Sequence, residues 1–192
     1  MAPSLVRLAA VAFAAALTVT ASACTASPDV SDEDTDVAEG QLVSFVCDRA
    51  EITKNNPNAP FAQVVDVRAA GHDGFDRFVM QFAAGQVPSY HVSRQRGATF
   101  FQDGSGMPIT VPGSAGLNIG VQPASGFNFD TGTPSFAGPN RFRPTGARLM
   151  TEAVSTGDFE AHVGWGVGLQ RAACYRVFEL ANPPRLVVDV QR

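Results

Sequence analysis

The residues best equipped for chemistry in this chain run from Asp158 to Leu169, Asp-Phe-Glu-Ala-His-Val-Gly-Trp-Gly-Val-Gly-Leu. Read as one extended strand, successive side chains alternate between two faces. One face carries Phe159, Ala161, Val163, Trp165, Val167 and Leu169 and belongs in a core. The other carries Asp158, Glu160, His162, Gly164, Gly166 and Gly168. Two carboxylates and an imidazole in line have the donor types for a divalent cation or for acid–base work. Metal sites usually draw ligands from more than one element, however, and no other segment supplies an obvious partner. The expectation is a solvated polar face beside a glycine strip, whose bare backbone a loop, a partner or a glycan can approach closely.

A second cluster, His72-Asp73-Gly74-Phe75-Asp76-Arg77, sits in a turn leading into a strand. His72, Asp73 and Asp76 have the types for a metal or acid–base group. The structural reading is that Asp76 and Arg77 pair locally or with the strand bearing Arg185 and Asp189, while His72 caps the turn. The candidate binding surface is therefore Asp158, Glu160, His162, Gly164 and Gly166, joined by His72, Asp73 and Tyr90. Nothing supports assigning a catalytic residue, a metal or a cofactor. The chain has no HExxH, phosphate loop, CxxC or dinucleotide fingerprint. Asp103-Gly-Ser-Gly106 lacks a nucleophile-elbow frame and reads as a turn. With three histidines, His72, His91 and His162, candidate bases are few.

The N-terminus sets the compartment. Arg7 precedes an apolar run from Leu8 to Thr20, and then come Ala21-Ser22-Ala23-Cys24. Charge, apolar stretch and small residues before a cleavage point mark a secretory signal peptide. A cysteine directly after the small residues makes it look like a bacterial lipobox, with Cys24 as the lipidated residue. The expected location is the outer face of the cell membrane, with lipid as the only membrane attachment. Removing residues 1–23 leaves 169 of 192 residues, enough for one domain. Arg7 goes with them and no acid does, so the formal charge moves from −4 to −5. That argues against nucleic acid, whose phosphates require basic surface. The other two cysteines, Cys47 and Cys174, are expected to form a disulfide in an oxidising compartment.

Residues 24–40 are rich in Ser, Thr and acid, and a segment of that composition cannot bury enough surface to fold. They read as a disordered tether. Beyond it, short runs alternate in polarity: 42–46, 63–68, 76–82, 90–94, 117–121, 148–154, 159–169, 175–180 and 185–190. Period-two patterning with Gly, Pro and Asn punctuation predicts an all-β fold, a β-sandwich of short, mostly antiparallel strands over residues 41–192. A short helix or turn is expected near Phe61 or 139–142, and 97–144 looks loosest. Alternate side chains should meet between two sheets and leave no enclosed reactive centre.

Several pieces in order carry a family resemblance. They are Val65-Asp-Val-Arg68, Gly71-His-Asp-Gly-Phe-Asp-Arg77, Pro88-Ser-Tyr90, Asp103-Gly-Ser-Gly106, Gly157-Asp-Phe-Glu160, Trp165-Gly-Val-Gly-Leu169 and Asn182-Pro-Pro-Arg-Leu-Val-Val-Asp189. The set resembles the AMIN-like domain of actinobacterial secreted proteins and lipoproteins over roughly residues 60–191. That family is more distantly linked to AMIN domains, β-sandwich modules that localise cell-wall amidases and secretin components. The resemblance implies a non-catalytic module that binds an envelope component, with peptidoglycan or another wall glycan first. The alternatives are a protein-interaction module of an envelope complex and, behind it, a small hydrolase using Asp158, Glu160 or His72. Unlike the amidases, this chain carries no amidase domain.

Overall fold

The computed structural model describes residues 43–192. The expected signal peptide, the lipidation at Cys24 and the tether of residues 24–40 lie outside them. Every regular element among the described residues is a strand. In chain order they are β1 (Glu51–Lys54), β2 (Ala62–Gly71), β3 (Phe75–Phe82), β4 (Ser89–Arg96) and β5 (Thr99–Phe101). Then come β6 (Pro108–Thr110), β7 (Ala115–Gln122), β8 (Ala124–Ser125), β9 (Phe127–Asn128) and β10 (Thr133–Pro134). The last are β11 (Arg141–Phe142), β12 (Met150–Phe159), β13 (His162–Leu169), β14 (Tyr175–Leu180) and β15 (Arg185–Gln191). Of the short helix or turn expected near Phe61 or 139–142, no helix forms: a turn at Pro57–Asn58 lies shortly before Phe61, and Arg141–Phe142 pairs with β12.

Two sheets carry the fold. One has the order β1-β4-β7-β13-β12-β11 and the other β14-β15-β3-β2-β8. Pairing between neighbouring strands is antiparallel except between β2 and β8. Alternation explains which side chains meet. Phe78, Met80 and Phe82 of β3 and Leu186, Val188 and Val190 of β15 are fully buried and face Val92, Leu117, Ile119, Val121, Trp165 and Val167 of the other sheet. Burying one such side chain contributes about 1.5–3 kcal/mol. Trp165 points inward, against Phe78, Phe136 and Phe142.

Cys47 and Cys174 are joined across 127 positions. Beside the bond, Val46 pairs with Tyr175. The strand expected over 42–46 is reduced, among its described residues, to that single bridge.

The outward face of the second sheet is also closed. Arg77 donates to Asp189 through Nε and Nη2, at 2.7 and 3.2 Å, and both are buried. Arg176 reaches the same carboxylate at 2.7 Å. The two guanidinium groups lie over Phe75 and Phe178, and Arg176 also covers Phe45. Asp76 does not pair with its neighbour Arg77, because adjacent residues of a strand point to opposite faces. Its carboxylate accepts from the backbone N–H groups of Arg148, Leu149 and Met150 and pairs with Arg192. Arg185 is buried at the start of β15, opposite Gln81.

Candidate functional site

The Asp158–Leu169 run is not one strand. Glu160 and Ala161 both have positive φ, 50° and 61°, and form the two-residue turn between β12 and β13. Such primed turns match the twist of the flanking strands and normally take Asn or Gly, so no residue type here marked the turn. The turn folds Asp158 back opposite Val163, which removes the proposed line of Asp158, Glu160 and His162. Asp158 instead accepts from Ser125 Oγ at 3.0 Å and the Gly126 N–H at 2.7 Å, holding the segment after β8. Glu160 is exposed at the turn.

The glycine strip is real but covered. Gly164, Gly166 and Gly168 of β13 lie beside Gly120, Asn118 and Gly116 of β7. Over them lies the β5–β6 hairpin. A Cβ on Gly166 would fall 2.4 Å from the ring of Phe100, and one on Gly116 would fall 2.8 Å from it. Phe100 thus occupies the space those two residues leave empty, and is 1% exposed. Ala98, Val111, Val154 and Ile109 complete a small second core. Gly166 and Gly116 are therefore a seat for the chain's own hairpin rather than an open binding surface.

Where the hairpin ends, a half-open cleft of about 250 Å³ remains. It is lined by His91, Ser93 and Gln95 of β4, Asn118 of β7, Thr156 of β12, His162 of β13, and Phe100, Phe101 and Asp103 of the hairpin. His162 Nδ1 donates to Asp103 Oδ2 at 3.1 Å, which orients the ring. The imidazoles of His91 and His162 lie nearly parallel, 9° apart, with centroids separated by 5.8 Å. Gly120 lies beneath them. A Cβ there would meet His91 Cε1 at 2.1 Å and His162 Nε2 at 2.6 Å. Burial, and next the neighbouring His162, lower the His91 pKa, with Glu51 and Asp103 opposing. Asn118 donates to Gln95, and Gln95 to the Thr99 carbonyl, tying the cleft wall to the base of the hairpin.

This arrangement offers two imidazoles, two amides, two hydroxyls and an aromatic wall, with Asp103 the one carboxylate. Groups of these types can hydrogen-bond a polar, largely uncharged molecule. No group of three or more His, Cys, Asp or Glu among the described residues is arranged to hold a metal ion.

Of the residues singled out in the sequence, His162 and Gly164 line the cleft and the others do not. Tyr90 faces away from His91 along β4. Its phenol is pushed up to about 12 by burial and then by Glu179. His72 stacks on Phe75 in the β2–β3 turn, beside exposed Asp73. Phe100 was missed, His91 was noted only as one of three histidines, and Asp103 only as part of a turn. Asp103 does lie in a turn, yet its side chain reaches 59 positions along the chain to His162. The available signal was the Asp-Gly pair between two short β-rich runs, Thr99–Phe101 and Pro108–Thr110.

Searches of curated proteins and of solved structures return no match. A family model does match, over residues 62–192, and takes in β2 to β15 with all of the cleft's lining. Most of the chain is so matched, and the chain accordingly belongs to the AMIN-like domain family.

Proposed function

We propose that this protein is a non-catalytic binding module of the cell envelope, held by lipid on Cys24 at the outer face of the cell membrane, and that its ligand is a wall glycan, with peptidoglycan first. The observation that carries the reading is the cleft between β4 and the β5–β6 hairpin. Its volume suits a sugar unit, and its walls combine neutral donors and acceptors with an aromatic side chain. Membership of the AMIN-like family supports an envelope role. Hydrolysis of the glycan is disfavoured by the carboxylates. Glycosidases work with a pair flanking the bond, whereas here Asp103 is engaged by His162 and Asp158 is turned onto Ser125 and Gly126.

One protein tests both parts. The Cys24→Ala chain should be released into the medium, and retention in the membrane fraction would reject lipidation. Collected from the medium, it should be retained on purified peptidoglycan sacculi in high salt, and His162→Ala in that background should weaken retention. Free passage of the parent chain through the sacculi would reject the glycan. A single discrete protein adduct on crosslinking in cells would favour the alternative, an envelope protein. The place for it is the edge strand β14, which has β15 as its one full-length neighbour.

A further inference from the structure

The register gives the domain two distinct ends. At one, Gly71 pairs with Asp76, Asp76 with Val190, Val190 with Tyr175 and Tyr175 with Val46. This end holds the disulfide and Val43, the first described residue, whose carbonyl accepts from Arg176. At the other, Ala62 pairs with Ala124, whose N–H donates to the Ala161 carbonyl in the β12–β13 turn. The ten residues of β2 span the interval, about 30 Å at strand rise.

At the far end stand three exposed phenylalanines, Phe61 (44%), Phe127 (36%) and Phe129 (70%). Phe129 contacts the other two edge to face, with centroids 5.8 and 5.3 Å away. They are held in place: Phe127 pairs with Pro134, and the Asn128 side chain accepts from the Asp130 and Thr131 N–H groups to fix the turn that carries Phe129. A cluster of rings kept rigid in water marks an interaction surface.

Charge selects the occupant. Residues 97–140 contain no Lys or Arg, and neither do residues 55–67; Lys54, placed toward this end by its pairing with Tyr90, is matched by Glu179 at 2.6 Å. Aromatic loops that dip into an anionic bilayer are accompanied by basic residues, and an acidic polymer would likewise need cations. The C–H faces of a pyranose are apolar and weakly positive, and they complement the negative face of an aromatic ring.

We infer that Phe61, Phe127 and Phe129 form a platform on which sugar rings of the wall glycan stack, at the end of the domain opposite the disulfide. The occupant rests on the glycan reading above; the surface is a second contact, separate from the histidine cleft.

The test uses the full chain carrying Cys24→Ala, purified sacculi, and vesicles of phosphatidylglycerol. Phe129→Ala removes a mostly exposed ring and should leave the thermal midpoint unchanged while weakening retention on sacculi about tenfold, the effect of losing one anchoring side chain. Phe129→Trp should keep or improve retention. Undiminished retention of a Phe127→Ala/Phe129→Ala chain would overturn the platform, and loss in His162→Ala alone would then leave the glycan assigned to the cleft. A parent chain that ignores sacculi overturns both readings. Phenylalanine-dependent binding to the vesicles instead would assign the platform to lipid.

Discussion

Gly120 sets what the cleft can contain. Two imidazoles lie within contact distance of the point where its Cβ would be, so any larger residue would push one ring aside. The closeness has an electrostatic consequence. His91 is partly withdrawn from water beside a second imidazole, and its pKa is lowered from the ordinary value of about 6.5. As pH falls through that value, the unfolded chain takes up the proton at position 91 before the folded chain does. Stability therefore falls on acidification from about 6.5 down to the folded-state pKa, and levels off below it. Glu51 and Asp103 oppose the shift without reversing it. Urea unfolding across this range should show the parent chain losing more stability on acidification than His91→Asn, which has no ring to protonate. Identical pH profiles would mean that His91 is not destabilised in its charged form. Ligand retained through a neutral His91 should weaken over the same interval.

The β5–β6 hairpin and the glycine strip are one device. Neither is stable as drawn without the other: a three-residue strand pair has little to hold it, and a strip of glycines exposes backbone. Phe100 locks them together. Gly166→Ala places a methyl 2.4 Å from its ring and should destabilise the chain by about 1–3 kcal/mol, the usual cost of overpacking. In a Phe100→Ala background the same change should cost much less, since the clashing ring is gone. A double-mutant cycle reads that coupling directly, and additive effects would show that the ring does not rest on Gly166. The same device marks the limit of sequence reading. Runs such as 76–82 and 185–190 alternate so regularly that their strands and inward faces were legible, as was the inward Trp165. Three glycines two apart announced that something approaches closely, but not what, because the covering segment is set by pairing between distant residues. Region 97–144, which looked loosest, supplies the cover. The Glu160–Ala161 turn was hidden for a different reason: two residues that rarely adopt positive φ are held there by the surrounding register. Of the cleft, only His162 and Gly164 were picked out, since the partners of a side chain on one sheet come from elements far along the chain.

Across the whole domain, the connections that matter most are long. Arg77 and Asp189 meet across 112 positions and Asp76 and Arg192 across 116. Such contacts cost loop-closure entropy, and the Cys47–Cys174 bond removes part of that cost in advance. It spans 127 positions, for which the chain-entropy account gives about 5 kcal/mol, comparable to the whole net stability of many domains. Replacing both cysteines by serine should therefore lower the denaturation midpoint sharply, and reduction of the parent chain should do the same. The effect should also have a place. Val46 and Tyr175 exchange both backbone hydrogen bonds directly beside the bond, with Arg94 and Arg176 reaching over to the carbonyls of Val46 and Val43. Without the covalent link this end is held by those contacts together with the Arg176–Phe45 contact and the Arg94 bonds to the Arg49 and Ala173 carbonyls. Amide exchange at Val46 and Tyr175 should then quicken more than exchange at Val79 or Val187, deep in the second sheet. Uniform acceleration at all four would mean that the bond acts on the unfolded chain alone, and no change in stability would refute the entropic account for this fold.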